Sequence, residues 1–437
     1  MARTAKTRKA KPHTPSKTID NTGATELGKP VFSQPEPTED PKKFEVKHPS
    51  DNAAYKEIDE LNKEHRIAAL PFPAPRGLPE PTLTLAAALG TDASALQKRL
   101  TANGQIVFHA TGDTGSTRGP ETQNLVADKM VNDFTDDEKE RPMFFFHLGD
   151  VIYSFGEAAY YYDQFYEPYR NYPAPIVALA GNHDGMVAPN TNATTLAAFL
   201  ENFCASEFEV TSEAGGLART AQIQPGVFYT FEAPPFLRIL ALYSNTLEDP
   251  GVIADDAIGD SQLTYLEAAL NRVKSEKFGG ALVIAHHHPA YTAGSVHGWS
   301  EQMLSQIDEV CSKTGVWPHA VLSGHAHNYQ RFTRMHGNTQ IPYLICGNGG
   351  HALARLMRKK GGASLRTPQA LQVKGHADKV MLENYDDQDY GYLRVVATAS
   401  QLRIEYHPAS DGEGAKTPDD FVTVDLASRK LVHFTGS

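Results

Sequence analysis

The chain is poor in cysteine, in tryptophan and in long apolar runs. Its three cysteines among 437 residues, Cys204, Cys311 and Cys346, are odd in number, far apart and in no metal-like spacing. That excludes a disulfide framework and a thiolate zinc site, and reads as reduced core residues of an intracellular protein. No run approaches the roughly 20 apolar residues of a membrane helix, so no membrane span is expected. The opening residues, "MARTAKTRKAKPHTPSKTI", lack the apolar stretch of a secretory signal and the apolar face of an amphipathic transit peptide. A cytoplasmic location is the expectation.

Acid is missing from residues 1–19, which hold six Lys/Arg; residues 20–437 carry 35 basic and 52 acidic residues, a balance of −17. A body that acidic repels nucleic acid unless a local basic site or a metal overrides the field. Nucleic acid is therefore expected only through the basic tail, and a solvated, disordered tail is the simpler reading of residues 1–45. Residues 46–104 read as an N-terminal supporting segment. It holds a candidate helix ("AAYKEIDELNKEH"), a proline-rich connector ("LPFPAPRGLPEP") and a helix ("DASALQKRLTANG") closed by Gly104.

What the chain does contain begins at Gln105 and fills a catalytic domain over 105–437. Apolar runs of four to six residues stop at glycine and polar residues: "QIVFHATGDTG", "MFFFHLGDVIY", "PIVALAGNHDG", "ALVIAHHHPAY", "HAVLSGHAHNY" and "PYLICGNGGH". Such runs predict strands buried on both faces. Helical spacing lies between them, as in "TTLAAFLENFC" and in "SQLTYLEAALNRV", with Leu263, Leu266, Leu270 and Val273 on one face and Ser261 as N-cap. The fold class is α/β. "YGYLRVVATASQLRIEYHP" predicts an antiparallel hairpin, and the aromatic stretch "YYYDQFYEPYRNY" has helical spacing that predicts packing.

In open α/β sheets, ligand groups sit at the carboxyl ends of strands. Five of the six strand ends carry donors for hard or borderline metals: Asp113, Asp150, Asn182, His287 and the pair His325/His327. Oxygen and imidazole donors without thiolate point to Fe, Mn or Zn. Within "AHHHP", counting from Val283 picks His286, whereas His-x-Pro spacing picks His287. His109 and His147, inside strands, read as satisfied core histidines, and Arg331 and His351 as outer groups of the site or as structural contacts.

The ordered series GDxG, GDxxY, GNHD, HxP and GHxH resembles the calcineurin-like metallophosphoesterase superfamily, in its purple-acid-phosphatase-like branch, over roughly Gln105 to His407. The resemblance implies an αββα sandwich, two mixed sheets flanked by helices, around two metal ions roughly 3–4 Å apart. It implies that Asp113, Tyr153 and His327 bind the first ion, with Fe(III) expected there. Asn182, His287 and His325 would bind the second, Fe(II), Zn or Mn, and Asp150 would bridge both. His287 is chosen because the family's histidine stands two before the proline. His183 takes the family's proton-donor or phosphate-contact position. His297 lies near a phosphate-contacting position, although a loop histidine bonded to backbone explains it equally. The implied activity is hydrolysis of a small phosphate ester, acid-phosphatase-like, by attack of a metal-bound hydroxide. A phosphodiesterase and a catalytically silent metal-binding scaffold are the alternatives. Gly115 stands where many members have the histidine of Asp-x-His, and Tyr153 is what the purple branch uses instead. A metallo-β-lactamase-type site is excluded, because "HAHNYQ" lacks the aspartate of HxHxDH. Selectivity would lie in loops 188–225 and 351–388. Within the latter, "RLMRKKGG" (Arg355, Arg358, Lys359, Lys360) reads as a solvated loop before a phosphate-facing lid.

Overall fold

Val107, Phe108 and Ala110 alternate along a strand whose two faces are both buried, one against a second sheet and one under helices. This double burial organises the molecule. The computed structural model describes residues 28–34, 56–58, 60–61, 68–189, 191–294, 297–356, 364–373 and 376–433. In chain order the first elements are β1 (Thr82–Thr84), α1 (Leu85–Ala88), α2 (Ala93–Asn103), β2 (Gln105–Thr111) and α3 (Glu121–Asn132). Next come β3 (Phe145–His147), β4 (Ile176–Ala178), α4 (Asn182–Gly185), α5 (Ala197–Phe203), β5 (Tyr229–Ala233) and β6 (Leu237–Leu242). Then follow α6 (Ser261–Ser275), β7 (Ala281–His286), α7 (Glu301–Thr314), β8 (Ala320–Ser323), β9 (Tyr329–His336) and β10 (Thr339–Cys346). The chain closes with β11 (Gln369–Leu371), β12 (Lys379–Asp386), β13 (Gly391–Thr398), β14 (Gln401–Pro408), β15 (Asp420–Asp425) and β16 (Lys430–Leu431).

Among the described residues these strands form two mixed sheets, of order β1-β5-β6-β7-β8-β10-β9-β12-β11 and β16-β15-β14-β13-β2-β3-β4. One core lies between the sheets and joins Phe108, Phe146 and Val395 of one to Phe231, Val283 and Leu322 of the other. A second core packs α3, α5, α6 and α7 on the outer faces, through residues such as Met130, Phe203, Leu266 and Ile307. This is the expected αββα sandwich. The strands β2, β3 and β4 run parallel, as do β6, β7 and β8, so their carboxyl ends open toward one edge.

The six apolar runs all fold as strands, and β13 pairs antiparallel with β14. The helix closed by Gly104 is α2, with the Asp92 side chain accepting from the Ala95 amide and Gly104 at φ 73°. Three expectations need adjusting. Helix α6 has Asp260 at its N-cap, and its buried face turns to Gln262, Tyr265, Leu266, Ala269, Leu270 and Val273. Gln262 takes Leu263's expected place inside because its amide bonds both backbone groups of Tyr243. The segment 46–104 contributes β1 to the larger sheet, where it runs parallel to β5 with Thr82 opposite Thr230. Residues 28–34, counted with the tail, lie against the body instead. The Gln34 amide donates to the Arg170 carbonyl (2.8 Å), and the Thr220 amide donates to the Val31 carbonyl (2.9 Å). The rest of the tail lies outside the described residues, as do Arg358, Lys359, Lys360 and most of the "AAYKEIDELNKEH" helix. No helix of the described residues is long and apolar enough to cross a membrane.

Candidate metal centre

Three of the strands that end at the open edge, β2, β3 and β8, stop in a sharp turn. Asp113, Asp150, His325 and His327 have φ of 57°, 56°, 68° and 39°, a left-handed conformation uncommon for residues with a Cβ. Strain of this kind turns each side chain back toward the strand ends and is concentrated at functional sites. Gly149, at φ 96°, is required beside them, since a Cβ there would lie 2.5 Å from His287 Nδ1.

The donors fall into two groups. Tyr153 Oη donates to Asp113 Oδ1 at 3.1 Å and lies 3.2 Å from His327 Nε2. His327 Nε2 is in turn 3.3 Å from Asp113 Oδ1. In the second group, His287 Nε2 and His325 Nδ1 each lie 3.1 Å from Asn182 Oδ1. Asp150 stands between: its Oδ2 is 3.3 Å from His287 Nε2, and it clusters with His287 and His325 on one side and with Asp113 and His327 on the other.

Backbone and neighbouring side chains hold these groups in place. His287 Nδ1 lies 2.7 Å from the Leu148 carbonyl, which fixes its tautomer and aims Nε2 inward. Gln164 bonds both the amide (2.8 Å) and the carbonyl (2.9 Å) of Tyr153, and the His351 ring stacks on the phenol at 3.5 Å. Asp184, the last residue of GNHD, accepts from the amides of Gly181 (2.8 Å), Val151 (3.0 Å) and Ile152 (3.0 Å), tying two of the motif loops together. The neighbours of His287 do other work. His286 Nδ1 faces the His288 carbonyl, and His288 lies between Ser244 Oγ and the Leu247 carbonyl.

The electrostatics suit a cation. Among the described residues, Asp150 Oδ2 is buried without a hydrogen-bond partner, as are Asn182 Nδ2 and His325 Nε2. Burial, with the Asp150 charge nearby, pushes Asp113 up to about 8 against the pull of His287. Burial would raise Asp150 too, but the charges of His287 and His183 hold it well below the usual carboxylate range. Burial alone would lower His287, yet Asp150 and Asp113 bring it to about 10. The ionised Asp150 thus holds a positive charge on His287 even when only a proton supplies it. Burial lowers His327 to about 4 and His325 well below its ordinary value, leaving both rings in the neutral form that binds metals. Burial, then Asp113 and Asp150, push the Tyr153 phenol well above 10.

His183 is at the rim. Its Nδ1 lies 2.8 Å from the Ser154 carbonyl, and its Nε2 is 4.0 Å from Asp150 Oδ2 and 3.7 Å from Glu248 Oε1. The His297 ring sits 4.7 Å from that of His325 and 4.6 Å from that of His327. All nine residues singled out in the sequence therefore meet at one edge. His109, bonded to Asp133 and Tyr172, and His147, bonded to Thr114, belong to the core, and Arg331 pairs with Asp420. The sequence reading missed Gln164, Glu248 and Asp249. Gln164 lies in a π-turn within the aromatic stretch, and "LEDP" matches no motif, so neither carried a signal.

A curated relative, "Probable inactive purple acid phosphatase 9" of Arabidopsis thaliana, is 23% identical over 319 residues, 68% of this chain and 46% of the relative. The chain thus spans about half the length of that relative. Among solved structures, the purple acid phosphatase PPD1 of yellow lupin (Lupinus luteus) shares 18% identity at a TM-score of 0.49, with 74% of this chain and 54% of that one covered. The Plasmodium protein GAP50, described as the anchor in the inner membrane complex, shares 14% at 0.48, with 74% and 88% covered. The model of the calcineurin-like phosphoesterase family matches residues 106–329, just over half of the chain, and with it every strand-end motif from Asp113 to His327; the chain belongs to that family.

Proposed function

We propose that the protein is a two-metal hydrolase of phosphate esters. The observation that carries this reading is the pair of donor groups, Asp113–Tyr153–His327 and Asn182–His287–His325, flanking a buried Asp150 oxygen that has no hydrogen-bond partner among the described residues. The first group would hold one ion and the second another, with Asp150 shared. A phenol resists deprotonation by divalent ions near neutral pH, so Tyr153 favours Fe(III) at the first position and Fe(II), Zn or Mn at the second. When bound, the ions supply positive charge against the phosphate and an activated water.

The chain's own residues do the rest. His287, locked by the Leu148 carbonyl, and Asp184, locking the loops of Asp150 and Asn182, keep the donors preorganised. His183, aimed inward by the Ser154 carbonyl, is placed to hand a proton to the leaving oxygen, and His297 to contact the phosphate. The substrate is a small phosphate ester, mono- or diester. The Arabidopsis relative's designation as inactive favours a second reading, a metal-binding protein without turnover. p-Nitrophenyl phosphate and its bis-ester, assayed on protein of measured metal content, decide between them. Turnover that follows metal content supports the hydrolase. Two bound ions and no turnover of any ester support the silent protein.

A further inference from the structure

Two acidic side chains stand at the rim of the centre, Glu248 and Asp249. They follow β6, and their side chains are 13% and 37% exposed, whereas His183 and His325 beside them are 6% and 2% exposed. Asp249 is pinned by the Gly298 amide, which donates to its Oδ1 at 2.6 Å, and the same oxygen is 3.7 Å from His325 Nε2. Glu248 Oε1 lies 3.7 Å from His183 Nε2, on the side where the leaving group departs if His183 is its proton donor. Ligand atoms of Glu248, His297 and His325 all fall within 4.8 Å of one another, which draws the Glu248 carboxylate up to the two rings. His325 Nε2, buried and without a hydrogen-bond partner among the described residues, faces the same rim, 3.7 Å from Asp249 Oδ1.

A carboxylate there works against an anionic leaving group and gains from a cationic one. We infer that Glu248, with the His297 and His325 rings, forms a subsite for positive charge on the leaving group, so that the site selects phosphate esters of amino alcohols. This rests on the phosphoesterase reading for the position of the leaving group.

Equilibrium binding to the full-length, metal-loaded protein tests it without needing turnover. Phosphocholine and 3,3-dimethylbutyl phosphate share a shape and differ in one positive charge, and their affinities are measured by calorimetry. The wild type should bind phosphocholine at least about tenfold more tightly, more than an exposed ion pair supplies. Glu248→Gln should bring the ratio to about one, and Glu248→Asp should keep part of it. Equal wild-type affinities, no binding of either ester, or a preference untouched in Glu248→Gln would overturn the inference. So would a third equivalent of Mn2+ that Glu248→Gln loses, which would put an inorganic ion in this place. The wild-type ratio alone is decisive should the variants not fold. Preference without turnover of any ester counts against the hydrolase reading and keeps the subsite; turnover without preference does the reverse.

Discussion

Removing one oxygen atom, in Tyr153→Phe, separates the purple-acid-phosphatase-like arrangement from a divalent-metal relative. The phenol is 1% exposed, donates to Asp113 Oδ1 at 3.1 Å and meets His327 Nε2 at 3.2 Å. Its loss leaves two buried polar atoms short of a partner, a cost of about 1–3 kcal/mol. The ring itself stays placed, stacked on His351 at 3.5 Å and clamped through its backbone by Gln164. In a chain this long, that cost lowers Tm by no more than about 5 °C. The effect on metal chemistry should be much larger. Burial and two carboxylates oppose the phenolate, so a hard trivalent ion is needed to displace its proton. Iron-loaded, oxidised wild type should therefore absorb in the visible, and Tyr153→Phe should lose that band while its Tm stays within about 5 °C of the wild type. A colourless iron form, or a band that survives in Tyr153→Phe, would refute the ligand role.

Asp150→Ala should release both metals, because Asp150 groups with His287 and His325 on one side and with Asp113 and His327 on the other; elemental analysis showing full metal with full activity would exclude a bridging role. His183→Ala should keep its metal but lose roughly 10²-fold or more in turnover of an ester with a poor leaving group, and less with p-nitrophenyl phosphate. An unchanged rate on the poor leaving group would remove His183 from the proton-donor role. Deleting residues 1–27 should leave Tm and activity as they are. Extending the deletion to residue 34 should lower Tm by a few degrees, since it removes the bonds that Val31 and Gln34 make to Thr220, Arg170 and Ala218. Equal melting temperatures for the two truncations would show that those bonds add nothing.

The strands that carry the centre were legible because burial on both faces forces an unbroken apolar run, and each run ends where a donor must turn inward. Strands that set polar residues into buried or half-buried faces were not. β9 reads "YQRFTRMH" and β12 "KVMLENYD", where polar and apolar residues mix and a bulge between Leu382 and Asn384 shifts the register. The same limit hid the supporting side chains. Gln164 reaches Tyr153 from a helical turn, Glu248 reaches His183 from a loop 65 residues further on, and Gln34 reaches Ala218 across most of the domain. Contacts between polar side chains far apart in the chain leave no spacing to read. The seven donors were found through the order of their motifs, and their partners only through the fold.

The exchange of Gly115 for Tyr153 shows how far the two depend on each other. The glycine two residues after Asp113 leaves the first motif without an imidazole, and the fold gives the reason. A Cβ at position 115 would collide with Gln164 Oε1 and with the Val151 carbonyl oxygen. Gln164 Oε1 is the atom that receives the Tyr153 amide, so the space a side chain needs at 115 is the space that holds the phenol in register. The Gly115 carbonyl also faces His351 Nδ1 at 2.7 Å, which sets the ring that stacks on Tyr153. Gly115→Ala should therefore act on Tyr153 without touching it. Overpacking against backbone should cost about 1–3 kcal/mol, and the Gln164 clamp should open. In iron-loaded protein, the visible band should weaken or shift although the phenol is still present. A Gly115→Ala protein with wild-type Tm and an unchanged band would mean that Gln164 does not hold Tyr153. Loss of stability with the band intact would mean that the clamp serves the fold and not the metal.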